Sequence, residues 1–197
     1  MIIAVTIIIA FLCGSIPTGY LIVKKLYGID IRTIGSGNIG STNVKRIAGR
    51  KVSVITQISD ISKGLLPVLT GMYLAGHIKL SISTSTYLSI IAMSVILGHD
   101  YTPFLSFNGG KGVNTTLGAF FLIAPIPTLL GVVAYFVLNL ATNIVSIRSI
   151  ALGITIAAMT VIMKLNASIK ISAVAACILM IIRHKDNLRR IFNKQES

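Results

Sequence analysis

The fold is decided at the start of the chain, by the run IIAVTIIIAFLCGSIPTGYLIV (Ile2–Val23). This run is almost unbroken in apolar residues. As an α-helix rising about 1.5 Å per residue, it is long enough to cross the roughly 30 Å hydrocarbon core of a bilayer. No basic leader precedes it, and no Ala-x-Ala cleavage site separates it from Lys24 and Lys25. We therefore expect a retained first transmembrane helix.

The composition extends this expectation to the whole chain. Hydrophobic residues make up 54% of the sequence, the mean hydropathy is +0.86, and charged residues account for only 12%. A soluble domain carries about twice that share of charge. Several spans with short loops leave no room for a separate soluble domain, so we predict an all-α integral membrane protein with residues 1–197 as a single domain.

Five further apolar segments predict the remaining spans, at residues 52–76, 82–98, 113–141, 149–163 and 169–182. The segment 113–141 is too long for one crossing and contains Pro125-Ile-Pro127, so we predict two short helices joined by a tight turn. This gives about seven transmembrane helices. A re-entrant pair at Pro125 would leave five crossings with the same sidedness, whereas a single kinked helix would scatter the polar motifs over both sides of the membrane.

The basic residues predict the orientation of the protein. All but four of the 18 Lys and Arg side chains fall on one side of this topology, the four exceptions being Lys63, Lys79, Lys164 and Lys170. The excess marks the cytoplasmic side, so the N-terminus lies outside and the C-terminus inside. Because the basic residues sit between apolar spans, membrane topology explains the net charge of +13 better than nucleic acid binding does.

A polar motif, GSGNIGSTNVKR (Gly35–Arg46), interrupts the apolar chain after the first span. Glycines let the backbone turn tightly, short polar side chains supply hydrogen bonds, and basic residues supply charge. This composition favours a site for an anion over a merely flexible interhelical loop, which has no need of clustered donors beside an arginine. The candidate ligands are Ser36, Asn38, Thr42, Asn43 and Arg46.

A second candidate anion site is Gly109-Gly110-Lys111-Gly112, at the start of an apolar helix. Glycines can free backbone N–H groups to face an oxyanion, the helix N-terminus adds positive potential, and Lys111 adds a point charge. The motif is not a P-loop, because Gly112 stands where a Ser or Thr for magnesium is required. It therefore indicates phosphate binding without nucleotide binding.

Catalytic groups are few. The five acidic residues form no cluster that could hold magnesium, so the sequence predicts no metal site. Asp60 and Lys63 lie on one face of the second span, either as a functional ion pair or as a brace for the bundle. His99 and His184 are the candidate bases on the cytoplasmic side, and no Ser-His-acid triad is readable from the spacing.

These motifs resemble the bacterial acyl-phosphate:glycerol-3-phosphate acyltransferases, the PlsY family. The resemblance rests on four ordered motifs and runs nearly end to end: Gly35–Arg46, Gly98-His99 with Gly109–Val113, Val145-Ser146-x-x-Ser149, and Arg183-His184-x-x-Asn187. Two positions depart from the family pattern. Asn114 stands where Ala is more frequent, and Arg148 lies between the two serines, where a small residue is common.

The resemblance implies transfer of a fatty acyl group from acyl phosphate to the 1-hydroxyl of glycerol 3-phosphate, giving lysophosphatidic acid and inorganic phosphate. The transfer is expected to be direct, without metal, cofactor or covalent acyl-enzyme. The protein is expected to act as a monomer in the bacterial plasma membrane, with its active site facing the cytoplasm, and to bind membrane lipid but no nucleic acid.

The resemblance also assigns roles to residues. Lys111, Arg46, His184 and Ser36 are the expected catalytic residues. The expected substrate-binding residues are Asn38, Thr42, Asn43, Gly109, Gly110, Gly112, Ser146, Ser149 and Asn187. The general base stays open, because His184 or a substrate phosphate, with a second pKa of about 6, could take the hydroxyl proton.

Two other functions compete with this interpretation. An anion transporter would also use a basic pocket between broken helices, but its motifs would not all lie on one face. A phosphotransferase acting on lipid head groups would need the acidic metal cluster that the sequence lacks.

Overall fold

The computed structural model describes residues 2–195, and all regular secondary structure among them is helical. Nine α-helices follow one another in this part of the chain: α1 (Ile2–Ser15), α2 (Thr18–Tyr27), α3 (Ser41–His77), α4 (Thr84–Asp100), α5 (Val113–Ile123), α6 (Pro125–Leu138), α7 (Val145–Ile162), α8 (Ala167–Arg183) and α9 (Lys185–Phe192). Two single-turn 3-10 helices, Ile31–Thr33 and Pro103–Leu105, lie in the loops before α3 and α5. The all-helical prediction is confirmed.

The first span is not the continuous helix that we predicted for residues 2–23. Helix α1 ends at Ser15 and α2 begins at Thr18. Pro17 causes the break, because it lacks a backbone N–H and forces the preceding residue out of the helical conformation. The carbonyl groups released there are satisfied by distant side chains: Thr102 Oγ1 donates to the Ser15 carbonyl over 2.6 Å, and Lys63 Nζ donates to that of Ile16 over 2.9 Å.

Glycines bring two helix pairs into close contact. A Cβ atom at Gly14 of α1 would lie 2.1 Å from the Val95 carbonyl oxygen of α4, and one at Gly98 of α4 would lie 2.1 Å from that of Phe11. Helices α3 and α5 meet in the same reciprocal way, through Gly64 against the Thr115 carbonyl and Gly118 against that of Ile61. The gaps there would be 2.2 and 2.0 Å. Small residues of this kind let membrane helices pack backbone against backbone.

Helices α3 and α7 begin earlier than predicted. We expected loops over 27–51 and 143–150, but α3 starts at Ser41 and α7 at Val145. Polar side chains at both starts imitate loop composition, although they occupy the first turns of helices. Within α3 the chain kinks at Gly49, whose φ of 78° and ψ of 179° are not helical.

Three helical stretches have the length and apolar character of membrane spans, namely α1 with α2, α4 extended to Leu105, and α7. The bent pair of α8 and α9 makes a fourth candidate, and α5 and α6 are shorter apolar helices. The predicted division of residues 113–141 into two helices at Pro125 is confirmed. The count of seven spans and the orientation of the termini stay predictions.

Two apolar clusters hold the helices together. The larger lies between α1, α3, α4, α5, α7 and α8 and includes Tyr87, whose hydroxyl donates to Thr6 Oγ1 over 2.9 Å. The smaller joins Val23, Ile31 and Val44 to neighbouring apolar residues beneath the Gly35–Arg46 motif. Burial of this second cluster fixes the polar motif against the membrane helices.

Candidate active site

A cavity of about 630 Å³ opens between α3, α5, α6, α7 and the start of α9. Ten of the thirteen residues predicted for the site line it: Ser36, Asn38, Thr42, Asn43, Arg46, Lys111, Ser146, Ser149, His184 and Asn187. They come from four separate sequence motifs. The fold therefore brings those motifs to one cavity, as the topology argument required.

The wall beneath Ser36 is built by the side chain of Asn43, which is 1% exposed. Its Nδ2 donates to the carbonyls of Ile31 over 3.2 Å and Ile34 over 3.0 Å, and its Oδ1 accepts from the Ser36 backbone N–H over 3.0 Å. All the ordinary hydrogen-bonding capacity of the amide nitrogen is thus used inside the protein. Asn43, predicted as a substrate ligand, positions Ser36 in this structure.

Glycine is required at Gly35 for two reasons. Its φ of 64° lies in the left-handed region, and a Cβ atom there would lie 2.3 Å from Asn43 Oδ1. The following turn closes through Asn38, whose Oδ1 accepts from the Gly40 N–H over 2.8 Å. Just upstream, a bidentate contact with the Arg32 guanidinium lowers the pKa of Asp30 to about 2. These contacts hold the motif in one shape.

The first turn of α3 supplies the second part of the site. Thr42, Lys45 and Arg46 line the cavity immediately after the helix N-terminus at Ser41. Asn114 of α5 reaches across the cavity and donates from Nδ2 to Ser41 Oγ over 3.3 Å. Helix N-termini and cationic side chains both favour bound anions.

Lys111, in the loop before α5, lines the same cavity as Arg46. Its ammonium group donates a hydrogen bond to Asn187 Oδ1 of α9. The second and fourth motifs are therefore joined directly.

The three glycines around Lys111 do not line the cavity. The Gly109 and Gly110 N–H groups donate to the carbonyls of Asp100 over 3.2 Å and His99 over 2.9 Å, so they do not face the anion as we had predicted. A Cβ atom at Gly110 would lie 2.0 Å from His99 Nε2. Glycine is needed at positions 109 and 110 because the loop lies directly on His99. This packing sets the position of Lys111.

Arg183 fixes the same loop from the other side. Its Nε donates to the Gly110 carbonyl over 2.9 Å and its Nη2 to the Gly109 carbonyl over 3.0 Å. The guanidinium also lies over the Tyr101 ring, 5.0 Å from its centroid. Arg183, which the sequence indicated only as part of a motif, is a positioning residue for the Lys111 loop.

His184 is buried, and its ring orientation is defined. Nδ1 lies 2.8 Å from the Met180 carbonyl oxygen. A carbonyl can only accept, so Nδ1 carries the proton and Nε2 is the basic nitrogen of the neutral ring. Ser146 and Ser149, 3% and 4% exposed, come from the first turn of α7 and line the same cavity.

Several lining residues were not predicted from the sequence. Val132, Tyr135 and Phe136 of α6 form an apolar wall, whereas Ser53 and Gln57 of α3 add polar groups. The α6 residues gave no signal beyond hydropathy, since they look like any membrane helix. Asp60 and His99 also line the cavity at its buried end.

The predicted ion pair at Asp60 is confirmed. Lys63 Nζ lies 2.9 Å from Asp60 Oδ1, and both side chains are buried. His99 Nδ1 lies 3.8 Å from the same oxygen. Within residues 2–195, no three His, Cys, Asp or Glu side chains are grouped so that they could hold a metal ion.

Comparison with known proteins gives consistent results. The model of the family described as glycerol-3-phosphate acyltransferase matches residues 4–194. A glycerol-3-phosphate acyltransferase of Clostridium acetobutylicum is 64% identical over 196 residues, covering 100% of this chain and 99% of that relative. One from Geotalea daltonii is 41% identical over 194 residues, covering 98% of this chain and 95% of the relative.

Two solved structures have the same fold. A crystal structure of PlsY, an integral membrane glycerol 3-phosphate acyltransferase, in its glycerol 3-phosphate form matches with a TM-score of 0.91 and 32% identity. It covers 100% of this chain and 95% of that one. The lysophosphatidic acid form matches with a TM-score of 0.88 and 31% identity over the same shares.

Proposed function

Because the chain belongs to the glycerol-3-phosphate acyltransferase family, we propose that it transfers a fatty acyl group from acyl phosphate to the 1-hydroxyl of glycerol 3-phosphate. The products are lysophosphatidic acid and inorganic phosphate. Both substrates are anions, and the donor also carries a hydrocarbon tail, so the site must be cationic at one end and apolar at the other.

One observation carries this proposal: the cavity has both kinds of wall. Arg46 and Lys111 line its polar part, while Val132, Tyr135 and Phe136 line the side formed by α6. Phe136 is 64% exposed on the outer face of the bundle. The apolar wall therefore continues to the surface that faces lipid, where an acyl chain would lie.

The donor phosphate is held by the Gly35–Arg46 motif in this proposal. Ser36 and Asn38 offer neutral hydrogen bonds, Arg46 can contact two oxygens at once, and Lys111 adds a point charge. The same cations stabilise the negative charge that develops on the acyl oxygen in the transition state.

The acceptor is positioned by residues of α7 to α9. Ser146 and Ser149 bind glycerol 3-phosphate, and Asn187 orients it beside Lys111. The 1-hydroxyl oxygen attacks the acyl carbonyl carbon, its proton passes to His184 Nε2 or to a substrate phosphate oxygen, and the bond between that carbon and the phosphate oxygen breaks. A new ester remains, and the proton ends on the released phosphate.

The transfer is direct. Acyl phosphate already contains a good leaving group, so a covalent acyl-enzyme would add a step without lowering the barrier. Charge stabilisation by Arg46 and Lys111 supplies what a metal ion would otherwise provide, and we expect the reaction to proceed in the presence of a chelator.

The cellular setting follows from the same residues. The excess of Lys and Arg on the side that carries the motifs supports a cavity open to the cytoplasm of a bacterial plasma membrane. We expect residues 1–197 to act as one membrane domain and as a monomer.

The test is a defined reaction of the purified protein in detergent with palmitoyl phosphate and glycerol 3-phosphate. Phosphate release and lysophosphatidic acid are followed with and without EDTA, and palmitoyl-coenzyme A replaces the donor in a parallel reaction. Product from the acyl phosphate in both metal conditions supports the proposal. The absence of product from acyl phosphate would overturn the donor assignment.

A further inference from the structure

Arg148 is a buried cation at the edge of the cavity. Its side chain is 9% exposed and lies in the first turn of α7, between Ser146 and Ser149. All three residues line the cavity. A guanidinium in such a place is costly unless its charge and its five donors are compensated.

The protein compensates Arg148 only in part. Nη1 donates to Asn139 Oδ1, and Nη2 donates to the Asn143 carbonyl over 3.3 Å. The guanidinium also lies over the Tyr135 ring, 4.9 Å from its centroid. These partners are neutral, and no carboxylate within residues 2–195 forms an ion pair with Arg148.

One donor of Arg148 is left over. Nε is buried and has no hydrogen-bond partner among the described residues. It lies at the start of an 18-residue helix, whose first N–H groups have no partner within the helix and whose dipole favours negative charge. An unused charged donor, a helix N-terminus and two serine hydroxyls at one cavity edge together fit a phosphate group.

We propose that Arg148 is a substrate-binding residue whose guanidinium contacts the phosphate of glycerol 3-phosphate through N–H groups that its protein partners leave over. Asn139, Asn143 and Tyr135 hold the guanidinium in place beside the cavity. The choice of glycerol 3-phosphate over acyl phosphate follows from the neighbours of Arg148, because Ser146 and Ser149 are the proposed acceptor ligands. The inference therefore rests on the proposed function and adds a phosphate ligand to it.

The central variant is Arg148→Gln, which removes the charge and keeps much of the side-chain length. The KM for glycerol 3-phosphate should rise about tenfold or more, the typical effect of losing a charge-assisted hydrogen bond. The KM for palmitoyl phosphate should stay within about twofold, because uniform loss of acceptor binding leaves the donor site unchanged.

Two matched variants separate this role from simpler ones. Asn139→Ala removes the contact to Nη1 but keeps the charge and the remaining donors of Arg148, so the KM for glycerol 3-phosphate should rise much less than in Arg148→Gln. Arg50→Gln makes the same change of charge at an exposed position of α3 and should also have no effect. An equal rise in KM for Asn139→Ala would show that Arg148 only fixes the end of α6, and would overturn the inference.

A second readout does not depend on turnover. Glycerol 3-phosphate alone should raise the thermal unfolding midpoint of the wild-type protein and should raise that of Arg148→Gln much less. If Arg148→Gln does not fold, Arg148→Lys takes its place, since an ammonium keeps the charge but lacks the Nε donor and should show a smaller rise in KM.

The two proposals fail in different ways. A wild-type protein that is stabilised by glycerol 3-phosphate but does not use palmitoyl phosphate removes the donor assignment and leaves the Arg148 comparison intact. Normal turnover together with an unchanged KM and an unchanged stabilisation in folded Arg148 variants overturns the role of Arg148 alone.

Discussion

Lys63 of α3 contacts the break in the first span by donating from Nζ to the Ile16 carbonyl over 2.9 Å while lying 2.9 Å from Asp60 Oδ1. The carbonyl is available because Pro17 interrupts the first span, and a bare carbonyl inside a membrane is expensive. The ion pair therefore stabilises the break between α1 and α2. Of the two roles that the sequence left open for the pair, this contact supports the brace.

Replacing Lys63 with Met should destabilise the protein by about 3–5 kcal/mol, because the buried Asp60 carboxylate loses its ion-pair partner and the Ile16 carbonyl loses one of its two donors. Thermal unfolding in detergent measures the effect, with Lys51→Met at an exposed position of α3 as the control. Combining Lys63→Met with Asp60→Asn should recover part of the loss. Equal unfolding midpoints for the two lysine variants would contradict a bracing role for the ion pair.

Gly118→Ala should disrupt the crossing of α3 and α5. The added Cβ would lie 2.0 Å from the Ile61 carbonyl oxygen, so the helices must separate, and we expect a loss of about 1–3 kcal/mol. Gly76→Ala is the matched control, since nothing lies within 4 Å of a Cβ atom there. The prediction fails if both variants unfold at the wild-type temperature.

Lys111→Ala and Arg46→Ala should each lose nearly all turnover and remain folded. Removing one donor that stabilises a developing oxyanion typically lowers the rate by about 10² to 10³. Initial rates with both substrates at saturation measure the loss, and Lys79→Ala, on the predicted outer side, controls for lost charge. Wild-type rates in either variant would exclude that residue from the site.

His184→Asn separates the two candidate bases. The Asn side chain can still donate to the Met180 carbonyl, as Nδ1 does over 2.8 Å, but it has no basic nitrogen in place of Nε2. If His184 is the base, kcat should fall about 10² to 10⁴. A decrease of less than about tenfold would instead assign the proton to a substrate phosphate. His77→Asn, exposed at the end of α3, is the control.

Asn43→Asp should damage the site through the backbone. A carboxylate would face the carbonyls of Ile31 and Ile34, which now accept from Asn43 Nδ2. We expect a loss of about 1–3 kcal/mol in stability, the usual cost of unsatisfied buried groups, together with a large fall in turnover. Unfolding midpoints and turnover rates are measured for Asn43→Asp and for Asn193→Asp in the exposed tail. Equal values for the two variants would contradict the prediction.

Much of the fold was predictable because hydropathy and the positions of proline determine where helices form and end. The helical class, the division at Pro125 and the pairing of Asp60 with Lys63 all follow from local sequence. The break at Pro17 was missed because apolar residues on both sides of it keep the average hydropathy high. The early starts of α3 and α7 were missed because polar residues in a first helical turn resemble a loop.

The site was predictable as a set of motifs and less so as geometry. Sequence reasoning found ten of the residues that line the cavity, but it placed Gly109 and Gly110 there as well. Their N–H groups are already used by His99 and Asp100, a long-range contact that the spacing does not reveal. The apolar wall of Tyr135 and Phe136 could not be distinguished in sequence from lipid-facing helix.

The kink at Gly49 has a consequence for how this enzyme can vary. With φ at 78° and ψ at 179°, the position is open to glycine and strained for every other residue. The part of α3 that carries Arg46 lies on one side of it, and the part that carries Asp60 and Lys63 lies on the other. A single nucleotide change at the Gly49 codon could straighten α3 and move Arg46 away from Lys111. The sequence of α3 on both sides of Gly49 would stay the same. Arg46 and Lys111 can therefore be separated in one evolutionary step, at a position that does not itself line the cavity.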